Sequence, residues 1–351
     1  MQKLDSKSFH KIRFSSIDRI ERFIIMRDLI TDVLGIRVGN AQDKQKARGC
    51  TVVLCDNAKT AGVDVRGGSP GTRETDLLNP VNMVQAPHAI YLSGGSAFGL
   101  AGADGVMEYL SENGIGFHLL NVVVPIVSGA VIFDLTVGDP LAYPGPQMGR
   151  DACMNASLDV PMGNVGAGTG ALIGWAGNLN QRMKGGLGTA SASRGNLVVG
   201  AIVVVNCMGN VYDPETGELL GGTLDPTGNY ILDAYEEMKK KQDAFSSQPN
   251  TQGLTTHTTI GVVATNAILS KPMATRMAMM AHDGYARSIN PSHTSGDGDT
   301  IFSVATGEVE SNIDIVGSMA AEAMARAIAK AIRYADSAYG YKSYSELSKK
   351  K

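Results

Sequence analysis

A hydroxyl residue at the start of an apolar, strand-like run carries the strongest chemical signal in this sequence. Thr258 opens that run directly after His257 and a polar segment. If the chain cleaves itself between His257 and Thr258, the freed threonine carries its own base, because an α-amino group with a pKa near ~8 can accept the hydroxyl proton at neutral pH. The pattern therefore predicts a self-processing hydrolase with an N-terminal threonine nucleophile.

Nucleophilic catalysis also needs groups that orient the base and donors that face the developing oxyanion. Asp297 and Asp299 flank a glycine before an apolar strand, where they could orient and support the new amine. Asn206 is a lone amide at the end of a Val- and Ile-rich run, which suits an oxyanion donor. An amide that only closes a strand end is the alternative for Asn206. The candidate catalytic residues are therefore Thr258, Asn206, Asp297 and Asp299.

Other local patterns fail on their spacing. Residues 94–99 (GGSAFG) lack the glycine that a nucleophile elbow needs two residues after its serine. Residues 166–174 (GAGTGALIG) approach a dinucleotide fingerprint with the wrong spacing. Residues 297–299 would begin a calcium loop, but the next ligand position is Ile301. The six histidines show no metal spacing and the four cysteines no zinc pairing, so no metal and no cofactor are expected.

Composition excludes several classes of partner. The chain has 351 residues, 43% of them hydrophobic and 19% charged, which is typical of a soluble globular protein with a sizeable core. A net charge of -3 gives no basic footprint for nucleic acid. No apolar stretch reaches the ~18 residues that a membrane span needs, and a cytoplasmic location is expected. Cys55 and Cys207 lie in or beside strand-like runs and are expected to be buried free thiols.

Strand-like and helical segments alternate along the chain. Predicted strands include 51–55, 89–93, 197–206, 258–265 and 300–305, and predicted helices are 98–113, 271–287 and 316–339. Within the second helix, Met273, Met277, Met280 and Ala281 form a stripe that is expected to be core. The polar residues 239–256 are expected to be exposed and mobile, a place where cleavage is tolerable. Strands buried on both faces between helices predict layers of helix, sheet, sheet and helix.

Several long motifs follow one another along the chain: 30–39 (ITDVLGIRVG), 62–68 (GVDVRGG), 70–76 (PGTRETD), 92–100 (LSGGSAFGL), 183–189 (MKGGLGT) and the regions of Thr258 and Asp297. Long motifs in this order are highly specific. With them the chain resembles the DmpA-type family of N-terminal nucleophile hydrolases, and the resemblance covers nearly everything from Ile30 to about Ala338. That family contains the L-aminopeptidase/D-esterases, the β-peptidyl aminopeptidases and the nylon-oligomer hydrolases.

The resemblance implies an α/β fold, a four-layer α-β-β-α sandwich of the DmpA/ornithine acetyltransferase type. It also implies an N-terminal extension, 1–29, ahead of a single hydrolase domain, 30–351. That domain would be cleaved between His257 and Thr258 into an α chain, 1–257, and a β chain, 258–351. The two chains would form an αβ heterodimer that assembles into a higher homo-oligomer.

Carried over by position, Thr258 looks like the nucleophile, Asp297 and Asp299 like its acidic pair, and Asn206 like the oxyanion amide. Lys184 and Trp175 are expected to line the site. Lys184 lies within the MKGGLGT motif. Trp175 stands where relatives commonly have Lys or Tyr, and its indole can donate one N–H but cannot carry a proton. His257 replaces a frequent Asn or Gly before the scissile bond, which is expected to alter the cleavage rate.

The expected function is an aminopeptidase or amidase that cleaves small peptide-like substrates through an acyl-enzyme on Thr258. Two alternatives stay open. An acyltransferase of the ornithine acetyltransferase type would form the same acyl-enzyme and pass the acyl group to an amine. A non-catalytic homologue would keep the fold and stay unprocessed. The mass of the purified chain distinguishes the unprocessed homologue from the hydrolase and the acyltransferase. Added amine acceptors distinguish the hydrolase from the acyltransferase.

Overall fold

The structure is a computed structural model that describes residues 26–247 and 257–349. The strands are β1 (Ile36–Asp43), β2 (Arg48–Cys55), β3 (Thr60–Val65), β4 (Thr72–Arg73), β5 (Ala89–Ser93), β6 (Phe117–Leu119), β7 (Val122–Val124), β8 (Val127–Val131), β9 (Leu172–Ile173), β10 (Met183–Lys184), β11 (Gly186–Arg194), β12 (Leu197–Asn206), β13 (Asn210–Tyr212), β14 (Leu219–Gly221), β15 (Thr258–Ala267), β16 (Ile289–Asn290) and β17 (Thr300–Val309). The helices are α1 (Gly102–Glu112), α2 (Pro146–Met154), α3 (Ala234–Ser247), α4 (Lys271–Ser288), α5 (Ile313–Arg333) and α6 (Tyr344–Ser348). Across these ranges, every helix is too short or too polar to span a lipid bilayer.

Two five-stranded sheets form the centre of the fold. The first has the order β1-β2-β5-β8-β4 and the second the order β11-β12-β15-β17-β3. Each sheet has one parallel pair, β5 with β8 and β15 with β17, among antiparallel neighbours. Val38 and Val53 of the first sheet share a buried core with Ile202 and Ile260 of the second. The strands β2, β12 and β15 are buried along their whole length, which explains why their sequences contain the long apolar runs of the chain.

Helices cover the outer face of each sheet. Val106 and Leu110 of α1 pack with Tyr91 on the first sheet. Met277 of α4 and Met324 of α5 pack against the second sheet. This arrangement confirms the predicted four-layer α-β-β-α sandwich. Of the predicted stripe, Met277 and Ala281 are buried in the core and Met273 packs against it, whereas Met280 is only partly buried.

Local signals fix the ends of the two helices behind the second sheet. The Ser270 side chain accepts a hydrogen bond from Met273 N at the start of α4. The Asn312 side chain accepts one from Asp314 N at the start of α5. Such caps satisfy backbone donors that have no partner inside the helix. The alanine-rich composition of α5 adds high intrinsic helix propensity.

The predicted helix 98–113 differs from the structure at its start. Ser96–Ala101 form a 3-10 helix, and the α-helix begins only at Gly102. The chain is tightly folded here: Gly95 has φ of +85°, and a β-carbon on Gly99 would lie 1.9 Å from the Gly94 carbonyl oxygen. The glycines therefore permit a tight turn that helical periodicity does not reveal. The predicted end at residue 113 lies within one residue of the end of α1 at Glu112.

Residues 239–256 were predicted to be exposed and mobile, and their first part, residues 239–247, lies in the helix α3, where residues 239–241 are exposed as predicted. Asp233 Oδ1 accepts hydrogen bonds from Tyr235 N and Glu236 N and caps this helix. Ion pairs three residues apart, between Glu236 and Lys239 and between Glu237 and Lys240, then stabilise its exposed face. Residues 248–256 lie outside the described residues, so the prediction is not tested there.

The predicted N-terminal extension is described only from residue 26 onward. Asp28 forms ion pairs with Arg326 and Lys330 of α5. Ile30 N donates to Thr189 Oγ1 at 2.8 Å on β11. Asp28, near the end of the predicted extension, is thus attached to α5, and Ile30, the first residue of the predicted domain, is attached to the second sheet. The boundary between 29 and 30 stays a prediction.

Candidate active site

The four candidate catalytic residues lie at one end of the second sheet. Thr258 begins β15 and pairs with Asn206, the last residue of the antiparallel neighbour β12. Asp297 and Asp299 precede β17, which runs parallel to β15 on its other side. His257 forms an isolated bridge with Asp297. Strand direction and register therefore bring together residues that are far apart in the chain.

The peptide bond before Thr258 lies against the threonine's own hydroxyl. Thr258 Oγ1 donates to His257 O at 2.5 Å. Gly298 N is 3.1 Å from His257 O and 3.2 Å from Thr258 Oγ1. The backbone N–H of Gly298 thus faces both the Thr258 hydroxyl and the His257 carbonyl that this hydroxyl would attack. Sequence reasoning missed this role of Gly298, although a glycine between two aspartates is a signal of it.

We expect Gly298→Ala to slow self-cleavage and substrate hydrolysis about 100-fold. A β-carbon there would lie 2.8 Å from Thr258 Oγ1 and 2.9 Å from Ser69 O, so the hydroxyl or the turn must move. A displacement of about 1 Å at a reacting group can cost ~100-fold in rate. The measurement is a time course of chain cleavage after cell-free synthesis. Gly145→Ala is the matched control, because a β-carbon there meets nothing within 4 Å. Equal slowing of both variants would contradict the prediction.

The two aspartates are buried and hold the backbone around Thr258. Asp297 Oδ1 bonds the His257 ring through Nδ1, and Asp297 Oδ2 accepts from Thr294 N at 2.6 Å. Asp299 Oδ1 accepts from Thr259 N at 2.7 Å. Burial raises the pKa of Asp299 above its ordinary value, because a carboxylate loses hydration there. These contacts place both carboxyl groups beside the predicted nucleophile.

His293 is a further contact residue that sequence reasoning did not identify. Its backbone N and its ring Nδ1 lie 3.1 and 2.8 Å from Asp299 Oδ2. His293 has φ of +58°, so the chain turns back to present both groups to one oxygen. The hydrogen bond from the ring lowers the pKa of Asp299 and opposes the effect of burial. An isolated histidine gives no sequence pattern that could have indicated this contact.

We expect His293→Ala to move the acid limb of the pH–rate profile to higher pH. Because burial already raises the pKa of Asp299 and His293 lowers it, the variant carboxyl group takes up its proton at higher pH. When the pKa of a carboxyl group is higher in the folded chain than in the unfolded chain, its protonated form favours folding. This contribution to stability is fully present below the ordinary pKa and is lost as the pH rises through the folded-state pKa. The variant should therefore lose about 1–3 kcal/mol of unfolding free energy at neutral pH, and less as pH falls.

The measurements for His293→Ala are pH–rate profiles and denaturant unfolding at several pH values. Unfolding is best followed in a Thr258→Ala background, which is expected to keep the chain in one piece. His118→Ala is the control, because His118 is exposed on β6. A uniform loss of rate with an unmoved acid limb would leave His293 with a purely structural role.

Asn206 is fully buried and already makes two hydrogen bonds. Its Oδ1 accepts from Leu172 N at 2.9 Å, and its Nδ2 donates to Phe133 O at 3.1 Å. An amide NH2 carries two hydrogens, so one donor is left for a ligand. In the uncleaved chain Gly298 N, not Asn206, is hydrogen-bonded to the His257 carbonyl. The oxyanion role of Asn206 therefore stays a prediction, with its place next to Thr258 as support.

Lys184 lies one strand away from Asn206. It pairs with Leu172, whose N–H binds the Asn206 amide. The Lys184 side chain is fully buried, and its Nζ donates to Thr169 O at 3.1 Å and Ala171 O at 2.6 Å. Burial lowers the pKa of Lys184 to about 7, because the ammonium loses hydration, and Asp134 offsets part of the shift. A lysine that titrates near neutrality can exchange a proton in this region.

Trp175 lies next to His257, whose peptide bond to Thr258 is the predicted cleavage site. Its ring centroid is 6.3 Å from that of His257. Its Nε1 donates to Leu172 O at 3.1 Å, so its one N–H is used. The Arg182 guanidinium carbon lies 3.4 Å from the centroid of the indole ring. The structure thus brings Trp175 to the His257 side chain and Lys184 to the Asn206 side of the site.

Comparison with known proteins connects this site to a family. The profile of peptidase family S58 matches residues 28–345. An uncharacterized aminopeptidase of Mycobacterium bovis is 43% identical over 350 residues, which cover 91% of this chain and 97% of that protein. A 6-aminohexanoate-oligomer endohydrolase of a Kocuria species is 31% identical over 282 residues, covering 80% of this chain and 75% of that protein.

The fold also matches a solved structure. The L-aminopeptidase D-Ala-esterase/amidase from Ochrobactrum anthropi, described as a variant of the Ntn hydrolase fold, has a TM-score of 0.63 with this chain at 19% identity. The match covers 88% of this chain and 86% of that one. At this identity the match shows the fold alone, whereas the family profile covers nearly the whole domain. The chain therefore belongs to peptidase family S58, the group of aminopeptidases and amide hydrolases that its motifs predicted.

Proposed function

We propose that this protein is a self-processing amide hydrolase whose nucleophile is the N-terminal threonine of a cleaved chain. The observation that carries the proposal is the contact of Thr258 Oγ1 with the carbonyl of His257, at which Gly298 N supplies a backbone donor. In the first reaction Oγ1 bonds to the His257 carbonyl carbon and the C–N bond to Thr258 breaks. The hydroxyl proton ends on the released nitrogen, and water then hydrolyses the ester.

The freed amine of Thr258 then serves as the base for the second reaction. It accepts the Oγ1 proton while Oγ1 attacks the amide carbonyl of a substrate. Asn206 Nδ2 stabilises the oxyanion. Asp297 and Asp299 hold the turn in place, and their carboxylates put negative charge beside the amine. The leaving amine takes the proton, and water resolves the acyl-enzyme to a free acid. Family membership supports amide hydrolysis as the reaction.

The substrate proposed is a small peptide-like amide with a free N-terminal amine. One relative is named for the hydrolysis of 6-aminohexanoate oligomers, which supports tolerance of amides other than α-peptides in this family. The cytoplasmic location and the assembly into αβ heterodimers and a homo-oligomer stay predictions from the sequence.

Intact mass and N-terminal sequencing of the purified protein test the proposal. Two chains are expected, and the second should begin Thr-Thr-Ile, the residues from Thr258 to Ile260. Full-length protein alone, even after long incubation at neutral pH, would reject self-processing. Hydrolysis of aminoacyl amides in the presence of an added amine then separates free acid from transferred product, and dominant transfer would indicate the acyltransferase.

A further inference from the structure

The side chain of His257 is buried in a closed environment before cleavage. Its Nδ1 bonds Asp297 Oδ1, and the indole ring of Trp175 lies 6.3 Å away between ring centroids. Within residues 26–247 and 257–349, His257 Nε2 has no hydrogen-bond partner. The surroundings therefore offer one carboxylate acceptor and one aromatic neighbour to the ring.

The ester of the self-cleavage reaction has the same linkage as the acyl-enzyme of substrate hydrolysis. In the first case the acyl group on Thr258 Oγ1 is His257, and in the second it is the N-terminal residue of the substrate. Both esters place a carbonyl carbon on the same oxygen, Thr258 Oγ1, and Thr258 Oγ1 is bonded by Gly298 N. The space that holds the His257 side chain is thus the space that a substrate's acyl side chain enters, given the proposed function.

When the C-terminal end of the 1–257 chain leaves with His257, the electrostatics of this space change. Asp297 keeps the hydrogen bond from Thr294 N on Oδ2, but its Oδ1 loses the partner that His257 supplied. Asp297 is almost fully buried, and a buried carboxylate oxygen that loses its donor is costly. A group with an N–H donor or a positive charge would restore that contact. Trp175 adds a flat apolar wall, whose ring also stacks with Arg182.

We infer that the acyl pocket of the cleaved enzyme selects N-terminal residues whose side chains present an N–H donor at the reach of imidazole, histidine above all. Asp297 Oδ1 and Trp175 are the specificity-determining groups of this pocket. The inference rests on the proposed function and adds the substrate class. A carboxylate side chain is excluded by repulsion from Asp297, and a leucine-like side chain leaves the Asp297 oxygen unpaired.

Two matched series test the inference. In the first, purified processed enzyme hydrolyses anilides whose N-terminal residue is His, Gln, Leu or Glu. We expect kcat/KM to fall in that order, with His about 10- to 100-fold above Leu, the range of a hydrogen bond to a charged group. In the second, the self-cleavage rates of His257→Gln, His257→Leu and His257→Glu should follow the same order below the wild type. Gln provides a conservative donor in both series.

The outcomes separate this inference from the proposed function. Matching orders in the two series support one shared pocket. Normal processing with Leu anilide hydrolysed as fast as His anilide overturns the pocket alone, and indicates that Asp297 turns to the new Thr258 amine instead. Wild-type chain that never cleaves overturns both. His118→Leu, which removes an exposed histidine, should leave processing and the anilide profile unchanged.

Discussion

Thr258→Ala is expected to remain a single full-length chain and to lose amide hydrolysis by about a million-fold, the scale on which deletion of a covalent nucleophile acts. The alanine has no oxygen to attack the His257 carbonyl, so the acyl shift cannot begin. Without the shift no free amine forms at residue 258, so both nucleophile and base are lost together. Intact mass and an anilide hydrolysis assay measure the two losses on the same sample.

Thr258→Ser supplies the matched comparison, because it keeps the hydroxyl and removes only a methyl group. Self-cleavage should continue, with a changed rate because serine is less restricted at χ1 than β-branched threonine. Fragments of equal size and amount from the Ala variant would show that another protease cuts the chain. Cleavage starting at Thr259 in place of Thr258 would contradict the register of the proposal.

Asn206→Ala is expected to lower kcat about 100- to 1000-fold, the usual cost of removing one oxyanion donor. The substitution also leaves Leu172 N and Phe133 O without their partner, which should cost about 1–3 kcal/mol per unsatisfied group in unfolding free energy. Because Gly298 N is hydrogen-bonded to the His257 carbonyl, self-cleavage should suffer less than hydrolysis. Single-turnover and steady-state kinetics of the processed variant measure the loss.

Asn266→Ala is a close control for Asn206→Ala. Asn266 lies near the far end of β15, where its Oδ1 accepts from Val198 N and its Nδ2 donates to Asn196 O. The two substitutions remove the same kinds of hydrogen bond, but only one lies beside Thr258. Asn266→Ala should lose stability and keep kcat. An equal loss of kcat in both variants would assign the effect of Asn206 to stability alone.

Sequence patterns predicted the fold correctly where the composition of a single strand or helix determines its structure. The apolar runs that became β12 and β15 are buried on both faces, so their composition alone indicates central strands. The layer order followed from alternating strands and helices. The start of α1 was predicted too early, because the tight turn before it relies on close backbone contacts at glycines, and those contacts depend on the tertiary structure. The helix α3 was missed because its stability lies in a cap and ion pairs on a polar surface.

The clustering of the candidate site residues was predictable from the sequence, whereas most of their contacts were not. Thr258, Asn206 and the aspartates stand at strand ends, and the family motifs pointed to them. The pairing of Asn206 with Thr258 depends on sheet register, which a single strand does not reveal. The bonds of Asp297 to His257 and of Asp299 to His293 depend on how a turn folds back. Such contacts need the tertiary structure.

The position of β15 and β17 in the second sheet has a consequence for the cleaved form of the protein that we propose. Both strands come from the segment that follows Thr258, and they lie between β12 and β3, which come from the segment before it. Cutting the chain would thus yield two polypeptides that interleave in the second sheet, and neither would hold that sheet complete. Denaturation would let them diffuse apart, and recovery would then require a second-order encounter. The mature protein should accordingly persist through slow unfolding, with a melting temperature that depends on concentration.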